Sequence, residues 1–440
     1  MTRLPLIAAL AGLTALSACA ERETILPGER LDPRAVLSPD GPAAEQPPAP
    51  TGSALSLPPL RANADWSQPG GNAAHVAGNL ALGAGTQRIW AVSIGAASDK
   101  RHRITAEPIV AAGLVFTLDS RSRVSATTPQ GGRVWQVDLR PAGESGDSAS
   151  GGGLAFEDNR VLVTTGYGEL VALDARTGGI AWRQKLETAV SGAPAVQNGT
   201  VFVQGRNGVG WGVRASDGKV LWRNFGNEGM AGVMGHSAPA VSGGTVVLPS
   251  LTGALTAVDA ASGNPIWTAN VAGSRLGRSI ALFRDMTGDP VIAGGTVYAG
   301  TSSGRAGAFD LATGMPRWEV GEGASGAMLP AGNSVFLVND QAQLLRLDAS
   351  TGGRVWAQKL PYFTKQIVRK QSRVWNHYGP VLAGNRLYLA SSDGYLRVFD
   401  PASGALVGTA EIPGGAAAAP AVAGQTLYVV THDGQLIAYR

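Results

Sequence analysis

A chain that catalyses or holds a metal must bring a few reactive side chains together, and this one offers few. Its 440 residues include five histidines and one cysteine. His75, His102, His236, His377 and His432 are isolated, without the His-x-His or His-x-x-x-His spacing that lets two imidazoles share one ion. Cys19 has no second thiol for a disulfide or a thiolate zinc site. There is no Gly-x-Ser-x-Gly elbow and no phosphate loop, and Ser302-Ser303 reads as loop. A calcium site needs several convergent oxygens, yet Asp99, Asp147, Asp158, Asp285, Asp289, Asp340 and Asp393 are scattered. The expectation is a protein that is not an enzyme, with no catalytic residue, no metal and no cofactor.

Asp174, Asp259, Asp310, Asp348 and Asp400 differ because they recur at one place in a repeated frame. The frame is clearest at 253–267, GALTAVDAASGNPIW. Leu255, Ala257 and Asp259 alternate with Thr256 and Val258, which is strand period. A small polar turn follows, then a strand carrying Trp267. Copies end at Trp135, Trp182, Trp222, Trp318 and Trp356; a further copy keeps Asp400 but has Gly408 at the Trp position. Each copy is preceded by a second hairpin pattern, such as SAPAVSGGTVVL at 237–248. Four strands in a period of about 40–50 residues predict a β-propeller. The last copy stops at Arg440 without its fourth strand, and an orphan strand, RIWAVSI, surrounds Trp90 near the start. The expected architecture is therefore an all-β, eight-bladed propeller of four-stranded antiparallel blades, its ring closed by the N-terminal strand. Within it the repeated Trp and Asp are structural: the ring packs between blades, and the carboxylate accepts turn N–H groups.

The propeller is expected to span 63–440. Before it, 1–19 has a short basic start, a 13-residue apolar run too short for a permanent span, and the ending Leu16-Ser17-Ala18-Cys19. That ending resembles a bacterial lipobox and implies lipidation of Cys19. Because Ala20 is not Asp, the same resemblance points to the periplasmic face of the outer membrane. Residues 20–62 are Pro-rich and without periodicity, the pattern of a flexible tether that reaches on the order of 100 Å when extended. A net charge of +4 with 15% charged residues and no long basic run gives no reason to expect nucleic acid as a partner.

The blade signature Ala-x-Asp-x-x-x-Gly-x-x-x-Trp, complete at Ala172–Trp182, Ala257–Trp267 and Ala308–Trp318, resembles the PQQ-like repeat family. Within that group, a lipobox, a tether and eight blades together resemble the BamB family of outer-membrane lipoproteins. That resemblance implies a non-catalytic scaffold of the β-barrel assembly (BAM) complex. It binds the periplasmic POTRA domains of BamA, with unfolded outer-membrane proteins as a second candidate partner. The alternatives are a PQQ-dependent quinoprotein dehydrogenase and a periplasmic ligand-binding propeller.

Two long links between blades are the candidate partner site. In the first, 224–235, Ala231, Val233 and Met234 stand where the family has its apolar contact residues; the family's Arg has no counterpart. In the second, 273–289, Asp285 stands where the family has an Asp, beside Arg284. The expectation is that Met234 and Val233 anchor a partner while Asp285 offers it a carboxylate. A third long link, 361–376, gathers Lys365, Arg369, Lys370 and Arg373 with Tyr362, Phe363 and Trp375. It reads as a surface for an acidic partner or an anionic lipid.

Overall fold

The computed structural model describes residues 54–146, 148–190, 192–225, 237–273, 275 and 285–440. Among them, eight antiparallel sheets each contribute four strands to a propeller blade. Blade 4 is representative: Ala240–Ser242, Thr245–Pro249, Ala254–Asp259 and Pro265–Asn270, paired in chain order. The ring closes as expected. Arg88–Ser93 is the outer strand beside Gln435–Tyr439, with Trp90 opposite Ala438. Apolar clusters run from each blade into the next; one joins Tyr388 of blade 7, Val422 of blade 8 and Val115 of blade 1.

The repeated frame has a mechanical explanation. In blades 2, 4 and 5 the Ala lies directly across the ladder from the Trp: Ala172 from Trp182, Ala257 from Trp267, Ala308 from Trp318. A small residue there leaves room for the indole. Each indole N–H then donates to a turn carbonyl of the next blade: Trp182 to Ala215 (3.0 Å), Trp222 to Ala260 (2.9 Å), Trp267 to Leu311 (2.8 Å). The face of the indole rests on the turn glycine of that same blade. At Gly263, where φ is 72°, an added Cβ would come within 2.5 Å of the Trp222 ring. Within the turn, Asp259 Oδ1 accepts the N–H of Ser262 (2.8 Å) and its hydroxyl (2.7 Å). Those bonds, the hydroxyl's first, hold the Asp259 carboxyl below its ordinary range.

The exception at Gly408 follows from the closure. A Trp there would need a turn in blade 8 between the third and outer strands. Those strands are Gln435–Tyr439 and Arg88–Ser93, so no hairpin turn joins them. Correspondingly, Val398 rather than Ala faces Gly408.

The expected tether is shorter at its C-terminal end, and 63–87 is more than a lead-in. Residues 54–80 run around the ring and touch all eight blades. Leu55 and Leu57 pack on blade 6, where Asn333 accepts from the Ser56 N–H (3.0 Å). Asn63 bonds Val422 of blade 8, and Trp66 exchanges two main-chain bonds with Val110 of blade 1 (2.6 and 2.8 Å). The Ser67 carbonyl accepts from Phe156 of blade 2, while the Gln68 amide pairs with both backbone groups of Val196 in blade 3. Ala73 and Ala74 accept from Val241 and Ile292 of blades 4 and 5. Leu60–Arg61 and Asn79–Leu80 finally add two parallel strands to blade 7. Because the innermost strands surround the axis, a segment bonded to them blade by blade runs around the rim of that axis.

Candidate partner-binding face

Antiparallel pairing gives the ring two different faces. The first and third turns of every blade open on one side. The second turn and the link to the next blade lie on the other. The N-terminal segment meets the inner strands beside their first turns, at Asn333 and at Gly424, so it lies on the turn face. The link 361–376 belongs to the opposite, connection face, as do the strand ends at Phe225 and Asn270.

Ala231, Val233, Met234 and Arg284 lie outside the described residues, as does Cys19. The first link is described up to Phe225, whose side chain is the most open large apolar group on the described surface, at 79% exposed. Its neighbour Asn224 donates to the Gly263 carbonyl (2.9 Å), and Arg223 lies 4.2 Å above the Trp211 ring. An exposed phenyl thus stands where a fixed strand enters the link.

Asp285 corrects the expectation of a carboxylate offered to a partner, because it is 1% exposed. The cause is the path of the chain just after it. Met286 N–H donates to Ser250, Met286 forms a bridge with Thr301, and the Ser237 hydroxyl donates to Met286 (2.7 Å) and Gly288 (3.0 Å). Residues 285–288 are thereby drawn between blades 4 and 5. At the start of the same link, Arg275 also turns inward: its Nε lies 2.7 Å from Asp340 and its Nη2 donates to the Gly321 carbonyl.

Several carboxylates on this face are held by arginines. Arg275–Asp340, Arg354–Glu322 and Arg397–Asp393 are paired, the last through two bonds of 3.0 and 2.6 Å. The link at 361–376 is different. It folds as a small hairpin: Thr364 N–H donates to Arg373, Trp375 N–H donates to Tyr362, and Phe363 bridges Val374. A 3-10 turn, Val368–Lys370, forms part of its tip. Its base is fixed by His377, whose Nε2 donates to the Pro361 carbonyl (2.7 Å) while Nδ1 accepts from the Ser391 hydroxyl. Burial pushes the His377 pKa down, which favours this neutral tautomer.

Carboxylates also meet beneath the N-terminal segment. Glu107 accepts the Gly70 N–H (3.3 Å), and Asp289 accepts the Ala238 N–H (2.7 Å). Burial, reinforced by the charge of Asp289, pushes Glu107 up to about 8; burial also raises Asp289. Sequence reading passed over this pair, since two acids 182 positions apart carry no local signal. Among the described residues, no three His, Cys, Asp or Glu gather in a way that fits a metal ion.

These features define an eight-bladed propeller of the PQQ-like repeat class. A family model described as outer membrane protein assembly factor BamB matches residues 120–358 and 365–440, and the chain belongs to that family. The BamB of Moranella endobia (strain PCIT) is 25% identical over 362 residues, covering 80% of this chain and 89% of the relative. Among solved structures, BamB from Moraxella catarrhalis superposes with a TM-score of 0.67 at 20% identity, covering 81% of this chain and 99% of that one. Quinohemoprotein alcohol dehydrogenase from Comamonas testosteroni superposes at 0.64 with 16% identity, covering 85% and 80%. The two solved structures share the fold.

Proposed function

We propose that this protein is a non-catalytic scaffold of outer-membrane β-barrel assembly, anchored to the membrane through lipid on Cys19, with its propeller in the periplasm. The family match over most of the propeller carries the reading. The partner is the periplasmic POTRA region of BamA, met by the links at 224–235 and 273–289. Phe225 adds an exposed aromatic anchor at the edge of the first link. Asp285 supports the second link from inside rather than bonding a partner directly. The quinoprotein alternative finds less support, because the family model that matches most of the propeller is that of the assembly factor.

The test is binding of purified BamA POTRA domains by Phe225→Glu and Met234→Glu, each beside a circular-dichroism melt. Loss of binding at an unchanged melting temperature supports the reading. Wild-type binding by both variants moves the interface off the first link. Asp285→Arg is a poor probe, since an arginine at a buried position disrupts the fold. Anchoring has its own test: Cys19→Ala releases the protein from the membrane fraction or blocks its maturation.

A further inference from the structure

The hairpin at 361–376 carries a charge that the rest of the molecule leaves unanswered. Lys365, Arg369, Lys370 and Arg373 are all exposed, and the segment contains no Asp or Glu. Among the described residues none of the four has an ion-pair partner, although Asp340, Glu322 and Asp393 lie on the same face. Each of those acids is already held by its own arginine. Four like charges within nine residues repel one another, and an isolated loop would relieve this by spreading. Here the two hairpin bonds and the His377 anchor hold them together. The result is a fixed cationic tip, with Ile367 52% exposed between the charges and Val374 39% exposed beside Arg373.

We propose that this hairpin docks an acidic patch of the same protein partner that covers the connection face, steering the encounter and fixing its orientation. This rests on the reading of that face given above. One observation favours a protein over a lipid surface. The hairpin's aromatic rings, Tyr362, Phe363 and Trp375, are half-buried at the base, and Tyr362 packs on the core of blades 6 and 7. A membrane-seeking loop would expose such rings at its tip.

The experiment uses the mature lipoprotein purified in detergent and the purified POTRA domains, with association followed by surface plasmon resonance at low and high salt. The quadruple variant Lys365→Glu, Arg369→Glu, Lys370→Glu, Arg373→Glu is expected to lower the on-rate on the order of tenfold at low salt and to flatten its salt dependence. The matching Gln variant, which cannot repel, is expected to fall between it and wild type. Bound partner is expected to protect Lys365 and Lys370 from acetylation. Wild-type on-rates and salt slopes in both variants, with binding otherwise intact, overturn the docking role and leave the scaffold reading standing. Absence of any binding by the wild-type protein sinks both. Protection of the two lysines by phosphatidylglycerol bilayers but not by the partner assigns the hairpin to the membrane and also overturns the proposal.

Discussion

The two faces of the ring are built from the same strands but solve different problems. On the turn face, blade after blade ends in a short turn capped by its own aspartate, and the backbone of 54–80 bonds to the inner strands from blade to blade. The backbone groups of that segment are paired with the blades, while Asn63 Oδ1, Trp66 Nε1 and His75 Nε2 are buried without a hydrogen-bond partner. On the connection face the links are long and one exposed phenyl stands at a link entrance. Several acids there are neutralised in place, while the four cations of the 361–376 hairpin stay open, as do Lys100, Arg101 and Arg103 among the described residues. Stability is concentrated where contacts are satisfied, and recognition where they are left over.

Four measurements break or sharpen that contrast. The largest effect is expected on the turn face. Trp66→Ala removes a ring 2% exposed and should cost about 3–5 kcal/mol in a denaturant melt. Partner binding below the transition should be unchanged; a binding defect in the folded variant would erase the division between faces. Next, Phe225→Glu should weaken partner binding by about 2 kcal/mol or more with no shift in melting temperature. A large loss of stability instead would make Phe225 part of the fold.

The third measurement concerns pH. The Glu107 pKa is raised in the folded protein, so its folded form keeps a proton that the unfolded chain loses near pH 4.5. Stability on this account is full below that value, falls as pH rises toward about 8, and levels off above it. Glu107→Gln should flatten the decline in melting temperature between pH 5 and 9. An equal slope in the variant would mean that Glu107 is well solvated. The smallest effect is expected at Gly408→Trp, since no blade 8 turn carbonyl awaits an indole there. A change of about 0.5 kcal/mol or less is anticipated, against several for Trp356→Gly. A clear stabilisation would show that packing alone, without the hydrogen bond, joins blades.

Much of the architecture was legible because it is local. The alternation of Leu255, Ala257 and Asp259, the glycine turn and the Trp at a fixed distance specify a hairpin within fifteen residues, and repetition specifies the ring. Even the orphan strand at Trp90 and the last copy's lack of a fourth strand pointed to the closure. The candidate site was only half legible. Phe225 was visible as an apolar residue at a link, but its exposure depends on which side of the outer strand faces solvent. Asp285 looked like a surface carboxylate because a loop aspartate usually is one; the bonds of Met286 and Ser237 that bury it join positions 49 apart.

The sequence by itself determined the blades, their number and the seam, since strand period, turn residues and the Ala–Trp pairing are written in neighbouring side chains. Only the tertiary structure decided that 54–80 belongs to the ring, because that segment is held largely by backbone N–H and carbonyl groups, which every residue possesses and no sequence pattern distinguishes. It also decided which charges remain open. A lysine or arginine is paired or free according to what folding places beside it, and for the hairpin at 361–376 folding places no acid of this chain within reach among the described residues.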